Sequence, residues 1–184
     1  LAVANSLVSA LTVYNNYLYA GGFFKQINAV AVDYLAVWNG SSWSGWGPGV
    51  DAPVWCLAVS PDNLYLYAGG GFTTVGVAAA AGVSANYIAQ WNGSSWSPLG
   101  SGMNGSVEAL AVSGTSLYAG GGFTTAGGVS ANYIAQWNGS SWSALGSGLV
   151  GEVYALAVSG TNLYAGGLFT MAGDVSANYI AQWN

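Results

Sequence analysis

Six carboxylates are the side chains of this chain best suited to acid–base chemistry: Asp33, Asp51, Asp62, Glu108, Glu152 and Asp174. Two carboxylates at a suitable separation can hydrolyse a glycosidic bond, one as the acid and the other as base or nucleophile. The chain has no histidine, which excludes an ordinary Ser-His-Asp triad and a histidine-bound metal ion. Lys25 is its single basic residue, which argues against a surface that binds nucleic acid, because such surfaces neutralise phosphates with Lys and Arg.

Whether the carboxylates can act together depends on the elements that carry them, and an internal repeat sets those elements. Trp38, Trp91, Trp137 and Trp183 each lie in the phrase Tyr-Leu-Ala-Val-Trp-Asn or Tyr-Ile-Ala-Gln-Trp-Asn. Their successive spacings are 53, 46 and 46 residues. A period in this range is typical of an array of one supersecondary unit. Residues 1–184 are therefore predicted to form a single repeat domain.

Each repeat contains four runs of strand length. In the third repeat these runs begin at Val107, Ser116, Ala131 and Ser140, with turn residues between them. Asn138-Gly139 separates the last two runs and predicts a hairpin with a type I′ turn. The repeat has neither helix caps nor a helical period of useful length. The pattern therefore predicts four short antiparallel strands in each repeat.

Tandem units of this kind predict an all-β fold, a β-propeller of four-stranded antiparallel blades. The expected blades span about 1–53, 54–106, 107–152 and 153–184. The second is seven residues longer, with two extra residues in the turn at 61–65 and five around 77–81. The last lacks its fourth strand, which residues 1–7 could supply, although they lack the Ser-Trp signature. We therefore expect the four repeats to be part of a larger ring.

The repeat motifs resemble those of kelch-like propellers. They are Leu-Tyr-Ala-Gly-Gly at 117–121, Ile-Ala-Gln-Trp-Asn-Gly at 134–139 and Ser-Trp at 141–142. The closer likeness is to the kelch-like repeats of secreted bacterial proteins and of fungal cell-surface polarity markers, and it covers essentially the whole chain. The resemblance implies a binding scaffold. Such propellers are occasionally enzymes, so it does not identify a ligand.

Aligned on the repeat, the carboxylates fall at different positions. Asp33 matches Asn132 and Glu108 matches Tyr154, so no acidic site recurs from blade to blade. The chain also lacks an Asp-x-Asp calcium pattern. Cys56 is the single cysteine, at an alanine position of the repeat, and is expected to be a small inward-facing residue. We predict no enzymatic activity, no cofactor and no metal site.

The composition predicts an uncharged surface. Charged residues make up 4% of the chain, against about 25% in typical domains. The longest apolar stretch, near 75–83, is shorter than the roughly 20 residues that span a bilayer. We expect an extracellular or cell-surface protein whose partners are other protein chains, cell-surface material or further copies of itself. Glycans are an alternative partner, and nucleic acid is not expected.

Most tryptophans occupy repeat positions and are predicted to form the core between blades: Trp38, Trp43, Trp91, Trp96, Trp137, Trp142 and Trp183. Trp46 and Trp55 differ, because their repeat counterparts include Leu99 and Glu108. They are candidate contacts for a ligand or partner, with packing as the alternative. Tyr65, in the longer turn of the second blade, is a third candidate.

These observations predict a non-enzymatic extracellular propeller that acts as a structural or adhesive module. One alternative is a lectin-like propeller that binds a carbohydrate in each blade. It would require exposed aromatic residues near Asn or Asp in repeat register. The other alternative is an accessory propeller of a larger secreted enzyme, which would require a catalytic domain outside these residues.

Overall fold

The computed structural model describes residues 3–47, 49–76 and 82–184, so the predicted insertion around 77–81 lies outside the described residues. The described part of the chain is all-β and contains no helix that could cross a membrane. Each repeat forms one main antiparallel sheet and a separate two-stranded hairpin, and every sheet lies within one of the four expected repeat ranges. The predicted all-β propeller of repeated antiparallel sheets is confirmed.

Six strands occur in each of the first two blades. The first blade contains β1 (Val8–Tyr14), β2 (Tyr17–Gly22), β3 (Gln26–Ile27), β4 (Val30–Ala31), β5 (Leu35–Trp38) and β6 (Trp43–Gly45). The second contains β7 (Val54–Val59), β8 (Leu66–Gly70), β9 (Thr74–Val75), β10 (Val83–Ser84), β11 (Ile88–Trp91) and β12 (Trp96–Pro98). The sheets have the orders β1-β2-β5-β6 and β7-β8-β11-β12, and the two remaining strands of each blade pair as a separate hairpin.

The last two blades follow the same plan. The third contains β13 (Val107–Ser113), β14 (Ser116–Gly121), β15 (Thr125–Ala126), β16 (Val129–Ser130), β17 (Ile134–Trp137) and β18 (Trp142–Ala144). The fourth contains β19 (Val153–Ser159), β20 (Asn162–Gly167), β21 (Met171–Ala172), β22 (Val175–Ser176) and β23 (Ile180–Trp183). The sheet of the third blade is β13-β14-β17-β18, whereas the described sheet of the fourth is β19-β20-β23.

Residues 3–5 pair with the first blade, not with the last. Ala4 forms a bridge to Ile27, and the N–H of Val3 donates to Oδ1 of Asn28 at 2.8 Å. Equivalent bridges join each later connector to the hairpin of the next blade: Val50–Val75, Met103–Ala126 and Leu149–Ala172. The described part of residues 1–7 therefore occupies the position of a blade connector and does not supply the fourth strand of the last blade.

The hairpin predicted at Asn-Gly is present, but the predicted type I′ turn is wrong. Trp137 pairs with Trp142, which leaves four residues in the loop. Gly139 has a φ of 99°, whereas Asn138 is not left-handed. Its Oδ1 instead accepts hydrogen bonds from the N–H groups of Ser140 and Ser141, both at 2.9 Å. The asparagine thus stabilises the loop through its side chain, as Asx turns do.

Successive blades pack through a valine seated on a glycine. The four blades follow one another as an arc, and their first strands lie side by side, β1 on β7, β7 on β13 and β13 on β19. We call this row of first strands the inner wall. The contact recurs as Gly21–Val54, Gly69–Val107 and Gly120–Val153. A Cβ on any of these glycines would lie 2.4–2.7 Å from Cγ1 of the valine. The second strand must therefore carry glycine here for the next blade to approach.

The repeat tryptophans differ in burial. Trp96, Trp137 and Trp142 are buried, while the others are half-buried: Trp38, Trp43, Trp91 and Trp183. The rings of Trp137 and Trp142 lie 5.4 Å apart. Nε1 of Trp142 donates to the carbonyl of Leu99 at 2.8 Å and so joins the third blade to the second.

A side-chain clamp fixes three of the connectors to the hairpin that follows. Asn5, Asp51 and Asn104 occupy equivalent positions, and each Oδ1 accepts hydrogen bonds of 2.8–3.1 Å from two successive backbone N–H groups. Burial raises the pKa of Asp51, but the hydrogen bonds from Thr74 and Thr73 outweigh it and lower the pKa below its ordinary value. This carboxylate is therefore held ionised by the loop that it organises.

We expect Asp51→Ala to lower the free energy of unfolding by about 1–2 kcal/mol at pH 7, because two N–H groups lose their side-chain acceptor. Asp51→Asn is the matched control and should lose less, since Asn5 and Asn104 form the same clamp. Any advantage of aspartate over asparagine should be present above its ordinary pKa of 3.8 and disappear as the pH falls through the lowered folded value. Urea unfolding from pH 2 to 7 measures both variants, and equal losses would contradict the clamp.

Trp137→Ala should lower the free energy of unfolding by about 3–5 kcal/mol, as expected for truncating a large buried aromatic residue. Trp183→Ala is the matched control. Trp183 occupies the same repeat position but is half-buried, so its loss should be smaller. Denaturant titration followed by far-ultraviolet circular dichroism compares them. A change below about 1 kcal/mol for Trp137→Ala would show that this ring does not stabilise the blade interface.

Candidate functional site

A cleft of about 310 Å³ opens between the second and third blades. One wall is the second-blade turn, residues 60–65, together with Tyr67 on β8. The other wall is the turn between β13 and β14, with Val112, Thr115 and Ser116, and Gly139 also lines the cleft. Two of the seven extra residues of the second blade fall in this turn, so the repeat does not reproduce this wall in the other blades.

Side-chain hydrogen bonds hold the second-blade turn in shape. Oγ of Ser60 donates to Oδ1 of Asp62 and accepts from the N–H groups of Leu64 and Tyr65, at 3.1 and 2.9 Å. The hydrogen bonds from Ser60 and from the N–H of Leu64 lower the pKa of Asp62. Asn63 takes a left-handed φ of 57°. The carboxylate at the cleft is thus already engaged in building the turn.

The same turn is also tied to the first blade. The hydroxyl of Tyr14, which is buried, donates to the carbonyl of Leu64 at 3.0 Å. Nδ2 of Asn63 donates to Oδ1 of Asn15, which lies in the turn between β1 and β2. Contacts to two blades fix the second-blade turn, so it presents a preformed surface to the cleft.

Two stacked tyrosines form the aromatic part of the cleft. The rings of Tyr65 and Tyr67 lie 6.3 Å apart with an angle of 28° between their planes. Tyr67 is buried and Tyr65 is half-buried. Burial raises the pKa of Tyr67, and the nearby charge of Asp62 adds to this shift. The phenol of Tyr67 is therefore neutral at physiological pH, and the cleft offers aromatic and hydroxyl groups for contact.

Trp46 is buried, which corrects its selection as a candidate contact. Its side chain is 4% exposed, and its ring lies 4.7 Å from Tyr19 and 4.6 Å from Trp96. Trp46 therefore packs in the core between blades, which was the alternative to ligand contact. The repeat has Leu99 at the same position, and in the first blade a larger ring fills the space between two blades. A ligand could not reach Trp46 without opening that interface.

Trp55 is half-buried on β7 and packs across the first two blades. Its ring is nearly parallel to that of Phe23, with 6.3 Å between centroids and an angle of 18°. It also lies over Gly71, where an added Cβ would be 3.5 Å from its Cζ2. Phe23 is 43% exposed, so the pair presents an aromatic surface to solvent. Contact of Trp55 with a ligand stays a prediction, as it does for Tyr65.

Two glutamates that the repeat comparison had separated are brought together in the structure. Oγ of Ser106 donates to Oε1 of Glu108 at 3.1 Å, and the hydroxyl of Tyr154 donates to Oε2 of Glu152 at 2.7 Å. A Cβ on Gly122 would lie 3.1 Å from the Ser106 oxygen and 3.4 Å from Oε1 of Glu152. The glycine leaves room for the Ser106 hydroxyl and the Glu152 carboxyl. We call Glu108 and Glu152 the carboxyl pair.

The surroundings of the carboxyl pair raise the pKa of Glu108 and of the neighbouring Tyr154. Burial raises the pKa of Glu108, and the charge of Glu152 adds to the rise. The hydrogen bond to Glu152 raises the pKa of Tyr154 to about 12. Sequence reasoning missed this pair because its members occupy different repeat positions, but they flank the ends of adjacent inner strands. No third acid, histidine or cysteine joins them to form a metal cluster within the part of the chain that the structure describes.

Comparison with known proteins identifies the fold. No family model matches the chain, and no curated protein does. Among solved structures, the computationally designed Ika8 protein shares 17% sequence identity at a TM-score of 0.60, over 97% of this chain and 46% of Ika8. The designed Ika4 protein shares 18% at 0.59, over 97% of this chain and 91% of Ika4.

A third solved structure is described as the crystal structure of the RRP9 WD40 repeats. It shares 17% identity with this chain at a TM-score of 0.56, over 90% of this chain and 48% of its own length. The chain thus spans about half the length of Ika8 and of this structure. The chain is a repeat protein of the β-propeller type, whereas its assignment to the kelch-like type stays a prediction.

The raised pKa of Glu108 predicts a pH-dependent variant. Because the folded pKa lies above the unfolded value, ionisation of Glu108 costs stability as the pH rises past its ordinary value of 4.5. Glu108→Gln should therefore stabilise the fold at pH 7, by about 0.5 kcal/mol after allowance for solvent screening. The gain should vanish near pH 3. Urea unfolding at both pH values tests this, with Asp174→Asn as an exposed-carboxylate control, and a gain independent of pH would refute it.

Proposed function

We propose that this propeller is a non-enzymatic extracellular interaction module, structural or adhesive in role, that binds an uncharged partner in the cleft between its second and third blades. The observation that carries the proposal is the stacking of Tyr65 and Tyr67 beside a second-blade turn that is hydrogen-bonded to the first blade. A preformed aromatic surface binds at a low entropic cost, because little has to be ordered on association. Expanded loops on rigid scaffolds are common positions for binding functions.

The chemistry of the cleft favours a neutral partner. Its lining combines aromatic rings with hydroxyls and glycines, and its one carboxylate, Asp62, is engaged within the turn. Recognition would rest on stacking and hydrogen bonds, with little contribution from ion pairs. A cell-surface setting is supported by the composition, because a chain with 4% charged residues has little electrostatic repulsion to keep copies dispersed in solution. The kelch-like motifs support the same role as a scaffold.

Carbohydrate binding is the second candidate function, and the tyrosine stack favours it. A tyrosine offers an apolar face together with a polar hydroxyl, and Thr115 and Ser116 lie on the opposite wall. The lectin-like alternative expected one site per blade. The longer turn belongs to the second blade alone, so we propose a single glycan site in place of a repeated one.

The experiment measures binding of the chain to an array of neutral oligosaccharides and to uncharged Ser- and Gly-rich peptides. Tyr65→Ala should weaken binding by about tenfold or more, the loss expected for an aromatic anchor. Tyr17→Ala is the matched control, since Tyr17 has the same place in the first blade and is 43% exposed. Trp55→Ala tests the remaining sequence candidate in the same assay.

Salt separates this mode of recognition from an electrostatic one. The dissociation constant should change by less than about threefold between low and roughly molar salt, because screening acts only on charges. Strong weakening by salt would reject the neutral partner. If Tyr65→Ala binds as tightly as the wild-type chain, the site lies elsewhere. If a glycan binds and none of the peptides does, the lectin-like candidate is favoured.

A further inference from the structure

The two end faces of the arc expose side chains that are buried elsewhere in the repeat. Val8 begins the first strand of the first blade and is 36% exposed, whereas its three counterparts are 0% exposed: Val54, Val107 and Val153. Ile180 on the last blade is 68% exposed, whereas its counterparts are also 0% exposed: Leu35, Ile88 and Ile134. Leu11 and Val13 extend the exposed face of β1, at 61% and 63%.

These end faces are the two halves of the valine–glycine contact that joins the blades. Gly166 on β20 is the counterpart of Gly120, but a Cβ added to it would meet only Ala155 and Tyr179, both at 3.8 Å. The seat that receives a valine at the three internal interfaces is therefore empty here. A groove of about 270 Å³, lined by Tyr164, Ile180, Ala181 and Gln182, lies along the same face.

We propose that two copies of this chain assemble head to tail into one ring of eight blades, with Val8 of each copy seated on Gly166 of the other. The first blade offers the face that the second, third and fourth blades use internally, and the last blade offers the seat that the first three use. A second copy therefore fits both faces with contacts that the repeat already makes. This inference is separate from the cleft and does not depend on it.

Ring geometry supports two copies. A head-to-tail interface produces a closed ring when its rotation closes and a filament when it does not. Two arcs of four blades give eight, within the range of roughly four to eight blades that propellers adopt.

Sedimentation and light scattering of the 184-residue chain test the proposal, and a dimer is the expected species at micromolar concentration. Gly166→Leu should give a monomer, because the leucine side chain would occupy the space that Val8 of the other copy needs. Its far-ultraviolet spectrum should be unchanged, because the single chain has room for a side chain at this position. Val8→Asp should act likewise by placing a charge in the interface. Val129→Asp is the matched control, 44% exposed on β16 of an internal blade, and should remain dimeric.

Each other outcome overturns the two-copy ring. A monomeric wild-type chain up to about 100 µM would assign the end faces to another protein or to further repeats of a longer chain. A dimer that persists in Gly166→Leu would place the interface elsewhere, and open-ended polymers would show that the rotation does not close. Cleft binding should survive Gly166→Leu, and dimerisation should survive Tyr65→Ala, so the two proposals fail separately.

Discussion

Close backbone packing in this fold depends on two adjacent glycines in the second strand of each blade, which make room for two different contacts. The first, as at Gly120, leaves room for the valine that begins the next blade. The second, as at Gly121, faces its own blade, since an added Cβ would lie 2.1 Å from the carbonyl of Ser106. One short Gly-Gly pair therefore sets both the spacing of strands within a blade and the spacing between blades. The buried phenylalanines and tryptophans stabilise an arrangement that these backbone contacts permit.

The most deeply buried position of each blade carries the same residue in all four repeats. Phe24, Phe72, Phe123 and Phe169 are all 0% exposed and identical. The position of Trp55, on the inner wall, instead carries Glu108 and Tyr154 in later blades. Some of the variation between repeats therefore lies on this inner wall. The carboxyl pair and the Trp55–Phe23 stack both arise at positions of this kind.

The sequence predicted the repeat, the strands of its main sheets and the propeller, because all three follow from spacing and turn chemistry. It missed the short two-stranded hairpin of each blade. It could not predict features that depend on contacts between repeats or on unusual backbone. Tyr34, Tyr87, Tyr133 and Tyr179 take φ values of 63–69°, a conformation that non-glycine residues rarely adopt. Tyrosine has no preference for a positive φ, so the residue type does not predict this conformation. Their carbonyls accept hydrogen bonds from the second glycine of the pair, at 3.1 Å, so the blade imposes this geometry.

Residue types alone also misjudged which aromatic residues are accessible. Trp46 departs from the repeat as Trp55 does, yet it is buried, because a departure at an interface can be filled by a neighbour that has room for a larger ring. Tyr65 directly precedes β8, in the repeat position of Tyr17, and is half-buried at the wall of the cleft between the second and third blades. Accessibility in this fold is therefore decided by the blade interfaces. A departure from the repeat becomes available for binding only where it lies on the inner wall or in a turn, and the cleft joins such a departure to a rigid support.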